Sequence, residues 1–128
     1  MGLAYLVVTV VAAGMAAFSA VGKLRHDPKI VHVVHEIVGV PLNYFPHLAA
    51  CEIAGAVGLV VGIWLPRVGM AASIGLVVYF VGAMVSHLRV GDWKGIGPAA
   101  FMLILSFTAL VLRLVAILGQ LPQLIPNP

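Results

Sequence analysis

Four long apolar stretches separated by short polar segments dominate the sequence. The predicted membrane-spanning helices cover about residues 3–22, 47–65, 68–88 and 98–118. Each stretch approaches the length of about 20 apolar residues that a helix needs to cross a bilayer. The short turn at Pro66 and Arg67 makes the second and third spans antiparallel neighbours. The pattern predicts an all-α fold, an antiparallel four-helix transmembrane bundle in which residues 1–128 form a single domain.

A polar segment between the first two spans contains a shorter predicted helix, at about residues 28–38. Pro28 suits the first turn of this helix and Asp27 its N-cap, and Gly39 and Pro41 would end it. Its length of about 11 residues is too short to span a bilayer, so we expect it to lie at the membrane interface. Three polar residues would share one face of the helix: His32, His35 and Glu36.

Composition agrees with membrane insertion and excludes an ordinary soluble domain. Hydrophobic residues make up 62% of the 128 residues and charged residues only 9%, whereas a soluble domain has about 25% charged residues. The net charge of +3 at pH 7 fits the basic bias of membrane loops, and no nucleic-acid partner is expected. The basic excess after the first and third spans predicts that these loops are cytoplasmic and that both termini lie outside.

No cofactor and no metal site is predicted. The lone Cys51 excludes an intrachain disulfide, and its place in an apolar stretch favours a buried, space-filling role. His32 and His35 suggest metal ligation, but the order HVVHE differs from the HExxH of zinc proteases. No cysteine pair, haem-type motif or nucleotide-binding loop indicates a redox centre of the chain's own.

Glu52 is the exceptional residue of the sequence, because it lies inside the second predicted span. A carboxylate in hydrocarbon costs roughly 2.5 kcal/mol or more, so such residues usually serve a function. A structural hydrogen bond between helices, for example with Lys23, is the alternative. Arg113 lies near the other end of the bundle, where its long side chain is expected to snorkel to the interface.

Antiparallel spans bring the polar residues of the chain to one end of the bundle. The first and third spans end at the membrane face where the second and fourth begin, and every carboxylate and every histidine falls on that side. This one-sided clustering predicts a polar chamber. The candidate contacts of Glu52 in it are Lys23, Ser86 and His87, and helical rise places Tyr79 deeper still.

Three segments resemble the DoxX-like family of small four-helix membrane proteins: FSAVGKL, the central PHLAACEIAGAVGLVVGIWLPRVGMAAS, and GAMVSHLRVGD. The resemblance covers about residues 18–113, and Lys23, Glu52 and His87 occupy its matching positions. It implies an integral, multi-pass protein of a bacterial cell membrane. The founding member of the family is the membrane subunit of a thiosulfate:quinone oxidoreductase, other relatives resemble accessory parts of redox systems, and a distant animal branch acts as a receptor-assembly chaperone.

Two functions from different classes follow as expectations. The first is an accessory subunit that docks a membrane redox partner or binds a quinone- or isoprenoid-like molecule. Glu52, Lys23 and His87 would contact the head group of that molecule. The further ligand-binding residues would be Tyr79, Ser86, His35 and Glu36. The second is a cofactor-independent enzyme in which Glu52 and His87 act as general acid and base in an isomerisation, hydration or ring opening. A pure assembly factor with an empty chamber is a third, and both enzymatic activity and homo-oligomerisation stay open.

Overall fold

The computed structural model describes residues 2–124 and consists of four long helices and one shorter one. The long helices are α1 (Leu3–Leu24), α3 (Phe45–Val61), α4 (Pro66–Arg89) and α5 (Trp93–Leu124). The shorter helix, α2, begins as an α-helical turn at Pro28–Ile30 and continues as a π-helix over Val31–Ile37. A 3-10 turn, Leu42–Tyr44, leads into α3. The described part of the chain contains no strand, which confirms the predicted all-α bundle.

The long helices form a closed ring, in which α1 packs on α3, α3 on α4, α4 on α5, and α5 on α1. All four are long and apolar enough to cross a membrane. Small side chains on α1, such as Ala12 and Ala16, are fully buried and let neighbouring helices approach closely. Large apolar side chains such as Phe18, Val78 and Ile104 point outward, as expected where lipid is the solvent.

α3 and α4 pack backbone against backbone at Gly62 and Gly69. A Cβ atom added to Gly62 would lie 2.6 Å from the backbone nitrogen of Gly69 and closer still to its Cα. Both partners in this contact are backbone atoms, which cannot rotate away as a flexible side chain can. The contact therefore requires glycine at position 62.

We expect Gly62→Ala to lower the free energy of unfolding by about 1–3 kcal/mol, the usual cost of overpacking. Gly75→Ala is the control, since a Cβ there meets nothing within 4 Å. Unfolding in mixed micelles of dodecyl maltoside and SDS measures both variants. Equal stability of the two variants would contradict the close packing of α3 on α4.

The N-terminus of α2 has the predicted cap, but its later course departs from an α-helix. The Asp27 carboxylate accepts a hydrogen bond from the backbone N–H of Lys29 at 3.0 Å. Further on, the N–H of Val38 donates to the carbonyl of Val33, five residues back, at 3.0 Å. This five-residue spacing is the hydrogen bond of a π-helix, which has more residues in each turn than an α-helix. Each residue therefore rotates the chain by a smaller angle than in an α-helix, where the rotation is about 100°. Of the three residues expected on one face, His32 and Glu36 stay together as a pair, whereas His35 bonds to the carbonyl of Val40.

Three further expectations are corrected by the structure. Cys51 is exposed rather than buried. Arg113 is buried, with 3% of its surface exposed, and does not snorkel. α5 begins at Trp93, because the Asp92 carboxylate accepts a hydrogen bond from the N–H of Gly95 at 3.2 Å and caps the helix five residues before the predicted start at Pro98.

Candidate functional site

A cavity of about 710 Å³ lies between the long helices at the end of the bundle that carries α2. We call it the Glu52 cavity. α2 contributes to its wall with Ile30, Val33 and Ile37, and α5 with Met102. This volume is within the range of pockets that hold small molecules, about 300–1,000 Å³. Its polar lining residues come from all five helices or their ends: Ser19, Lys23, Lys29, His32, Glu52, Tyr79, Ser86, His87, Asp92 and Lys94.

A buried ion pair between α1 and α3 forms the polar wall of the cavity. Lys23 Nζ lies 2.9 Å from Glu52 Oε1, and the two residues are 7% and 1% exposed. Ser19 precedes Lys23 by one helical turn and donates to the same oxygen at 3.1 Å. Lys23 also donates to Ser19 Oγ at 2.8 Å. The carboxylate oxygen Oε1 therefore receives two donors from α1.

The other carboxylate oxygen of Glu52 is left unpaired. Oε2 is fully buried and has no hydrogen-bond partner among the described residues. The Tyr79 phenol interacts with the same carboxylate but does not complete a hydrogen bond of normal geometry to Oε2. A buried acceptor without a donor costs about 1–3 kcal/mol, and more when it is charged. This oxygen is therefore a ready acceptor for a donor that enters the cavity.

His87 and Asp92 form a second polar pair on the cavity wall. His87 Nδ1 lies 2.8 Å from Asp92 Oδ2, with both side chains largely buried. Because Asp92 also caps α5 through its other oxygen, its position is held by backbone. The pair fixes the imidazole ring through Nδ1, and Nε2 is the ring nitrogen left for other contacts.

Four of the residues predicted to contact Glu52 or a ligand line the same cavity, and two of them interact with the carboxylate. Lys23 forms the ion pair. Tyr79 lies beside the carboxylate. Ser86 and His87 line the cavity with their side chains bonded elsewhere, and Ser86 Oγ donates to the carbonyl of Gly82 at 2.8 Å.

His35 and Glu36 are not among the residues that line the cavity. His35 Nδ1 lies 2.8 Å from the carbonyl oxygen of Val40. Glu36 Oε2 lies 2.6 Å from His32 Nδ1, and that pair is exposed. His32 is therefore the one residue of the three that lines the cavity, and Glu36 is linked to the wall only through its pair with His32.

Two residues of the site were not predicted from the sequence to contact its other side chains. Ser19 lies four residues before Lys23 and so on the same helical face, a spacing visible in the segment FSAVGKL. Asp92 follows His87 by five residues across a turn, and only the geometry of that turn pairs them. Within residues 2–124, no three histidine, cysteine or acidic side chains come close enough to hold a metal ion.

A second buried polar cluster lies at the opposite end of the bundle, away from the cavity. Arg113 Nε donates to the Tyr5 hydroxyl at 3.1 Å, and its guanidinium carbon lies 4.2 Å from the centre of the Tyr5 ring. A terminal nitrogen of the guanidinium also donates to the carbonyl of Gly62, at the end of α3. This cluster ties the start of α1 to the end of α3 and to α5.

Comparison with protein-family models gives a match that covers most of the chain. The model of the DoxX-like family matches residues 7–118, a range that includes the ion pair, Tyr79, and the His87 and Asp92 pair. No curated protein and no solved structure matches the chain.

Proposed function

The chain belongs to the DoxX-like family, and from that premise we propose that it binds a lipophilic molecule, quinone- or isoprenoid-like, in the Glu52 cavity. The unpaired oxygen of Glu52 is the observation that carries this proposal. We place the protein in the membrane as an accessory subunit of a redox system, with the bound molecule as the component that it presents to a partner.

The lining of the cavity suits an apolar molecule with one polar end. Apart from its polar residues, the wall consists of side chains such as Val33, Ile37, Leu48 and Phe80. An isoprenoid or alkyl tail would be desolvated against these side chains, and the polar head would reach the ion pair. A few placed polar groups in an otherwise apolar pocket are the usual arrangement of a small-molecule site.

The geometry of the ion pair favours binding over a purely structural role. A pair that only joined α1 to α3 would be expected to satisfy both carboxylate oxygens, since buried polar atoms in proteins almost always have partners. Here Ser19 and Lys23 both bond to Oε1, and Oε2 has no partner in the described residues. The arrangement reserves one oxygen for a further donor.

A second candidate function is the cofactor-independent enzyme. The observation that favours it is the His87 and Asp92 pair, which lines the same cavity as Glu52. An imidazole oriented by a carboxylate can transfer protons, and Glu52 could supply the complementary acid or base. Such an enzyme would isomerise, hydrate or open a lipophilic substrate. Chemical change of the bound molecule, stopped by His87→Gln, would separate this function from simple binding.

We expect farnesol, an isoprenoid alcohol, to bind the detergent-solubilised protein, and Glu52→Gln to weaken that binding about fivefold. The reason is that the amide puts an NH₂ donor in place of Oε2, so farnesol exchanges a bond to a charged group for one to a neutral group, which is worth about 1 kcal/mol less. Titration followed by native mass spectrometry measures the bound fraction, and also shows whether a lipid or a second protein is co-purified.

Glu36→Gln is the matched control, because it makes the same chemical change on an exposed side chain outside the cavity. It should leave farnesol binding unchanged. Absence of binding to the wild-type protein, or equal weakening by both variants, would refute the proposed site.

A further inference from the structure

From the bonding of Glu52 we infer that the cavity selects a neutral lipophile whose head group donates a hydrogen bond, such as a hydroxyl. The inference rests on the proposed function and names the chemical class of its ligand. It follows from three features of the site: the balance of charge, the division of donors between the two carboxylate oxygens, and the position of Tyr79.

The charge balance at the inner end of the cavity disfavours an ionic head group. Lys23 and Glu52 neutralise each other at 2.9 Å, and both are buried. An anionic head beside them would add a second negative charge next to the carboxylate, and a cationic head a second positive charge next to the ammonium group. Either would be a buried charge without a counterion, which is strongly unfavourable.

The mouth of the cavity has a different charge. Lys29 and Lys94 line it and are exposed, and they could hold an anionic head in solvent. Such a molecule would bind with its head at the mouth and leave Oε2 of Glu52 unpaired. An anionic amphiphile is therefore the competing ligand class that the experiment must separate.

The donors around Glu52 distinguish hydroxyl heads from heads that only accept. Ser19 and Lys23 each donate one hydrogen bond to Oε1 of Glu52. The oxygen still to be satisfied is therefore Oε2. A ketone, an ether or an oxidised quinone has no proton to donate and would leave Oε2 desolvated, so among quinone-like molecules the site would favour the reduced quinol. A hydroxyl supplies the missing proton, and its own oxygen can accept a bond from the Tyr79 phenol, which lines the cavity.

Tyr79 is the protein group that could compete for the same oxygen. Its phenol lies beside Glu52 but leaves Oε2 unpaired in this structure. If the phenol satisfied Oε2 while a ligand is bound, the ligand's own donor would be unnecessary. Tyr79→Phe removes this competitor and keeps the ring, so it should preserve the preference for a hydroxyl head.

The test compares three probes that share one tail: farnesol, farnesyl methyl ether and farnesoic acid. We expect farnesol to bind at least about tenfold more tightly than the ether, as one hydrogen bond to a charged acceptor predicts. We also expect farnesol to bind more tightly than the acid at pH 8, where the acid is ionised. The wild-type protein alone suffices for this comparison.

Repeating the comparison of the probes with the Glu52→Gln variant tests the role of Oε2 directly. Lys23 will hold the amide oxygen in the place of Oε1, so that an amide NH₂ replaces Oε2 and donates instead of accepting. The ratio of farnesol to ether affinity should then fall towards one, whereas Glu36→Gln and Tyr79→Phe should keep it near tenfold.

The outcomes separate this inference from the proposed function. Equal affinity for farnesol and the ether would overturn the preference for a donor and leave lipophile binding in place. Tightest binding of farnesoic acid would overturn the neutral head group in favour of an anion at the mouth. Absence of binding by all three probes would overturn both the inference and the proposed function.

Discussion

Replacing Lys23 with methionine is expected to lower the free energy of unfolding by about 3 kcal/mol or more, the usual cost of removing one partner from a buried ion pair. Within the described residues, Lys23 is the only cation that forms an ion pair with Glu52. The variant would leave a carboxylate, 1% exposed, with no cation beside it and with only the neutral hydroxyls of Ser19 and Tyr79 near it among the described residues. Unfolding in mixed micelles, with helicity as the signal, measures the loss.

Removing both charges should cost far less than removing one. Replacement of a buried ion pair by neutral side chains of similar volume is often neutral or even stabilising. We therefore expect Lys23→Met combined with Glu52→Gln to recover most of the stability lost by Lys23→Met alone. The recovery measures the coupling between the two side chains in a double-mutant cycle.

Lys94→Met is the control for this experiment, because it removes the same kind of charge from an exposed position. It should change stability little. Additive losses from the two substitutions at Lys23 and Glu52 would contradict the coupled pair. A stable double variant that has also lost farnesol binding would indicate that the pair is retained for the ligand rather than for the fold.

Arg113→Met is the second substitution with a large expected effect, a loss of at least about 3 kcal/mol. The guanidinium donates to the Tyr5 hydroxyl and to the Gly62 carbonyl, and bonds made by a charged group contribute about 1.5–3 kcal/mol each. Its contact with the face of the Tyr5 ring adds about 0.5–2 kcal/mol. Methionine keeps the length of the side chain and removes all of these contacts.

Smaller changes in the same cluster should follow a defined order. Tyr5→Phe keeps the ring under the guanidinium and removes only the hydroxyl acceptor, so it should cost about 1 kcal/mol. Arg113→Lys keeps the charge and loses the planar fork of donors, and should fall between the other two. Arg67→Met removes an exposed arginine from the same end of the bundle and is the control.

The same micelle unfolding assay orders these variants. A loss for Arg113→Met no larger than for Arg67→Met would show that the cluster contributes nothing to stability. Unchanged farnesol binding in Tyr5→Phe is also expected, because the cluster lies at the opposite end of the bundle from the Glu52 cavity. Weaker farnesol binding by Tyr5→Phe would mean that the two ends of the bundle are coupled.

The membrane-spanning bundle could be predicted because it depends on local properties of the chain. Apolar stretches of sufficient length have few alternatives to a spanning helix, since their backbone polar groups must be satisfied internally. The N-cap of α2 could be predicted for the same reason, because Asp27 and Pro28 act on their immediate neighbours. The start of α5 differs from the predicted Pro98, because the Asp92 carboxylate caps the helix and lets it begin five residues earlier, at Trp93.

The sequence alone determined the fold class and made Lys23 one of three candidate partners of Glu52, with Ser86 and His87. The reason is that a carboxylate in an apolar span requires compensation, and chain polarity brings these residues to one membrane face. Only the tertiary structure decided which of the other polar side chains line the cavity and which of them pair with one another. It left His35 and Glu36 outside the lining of the cavity, paired His87 with Asp92, and buried Arg113. Those outcomes depend on the π-helical winding of α2 and on the rotation of each helix about its axis, which are settled by packing between distant segments.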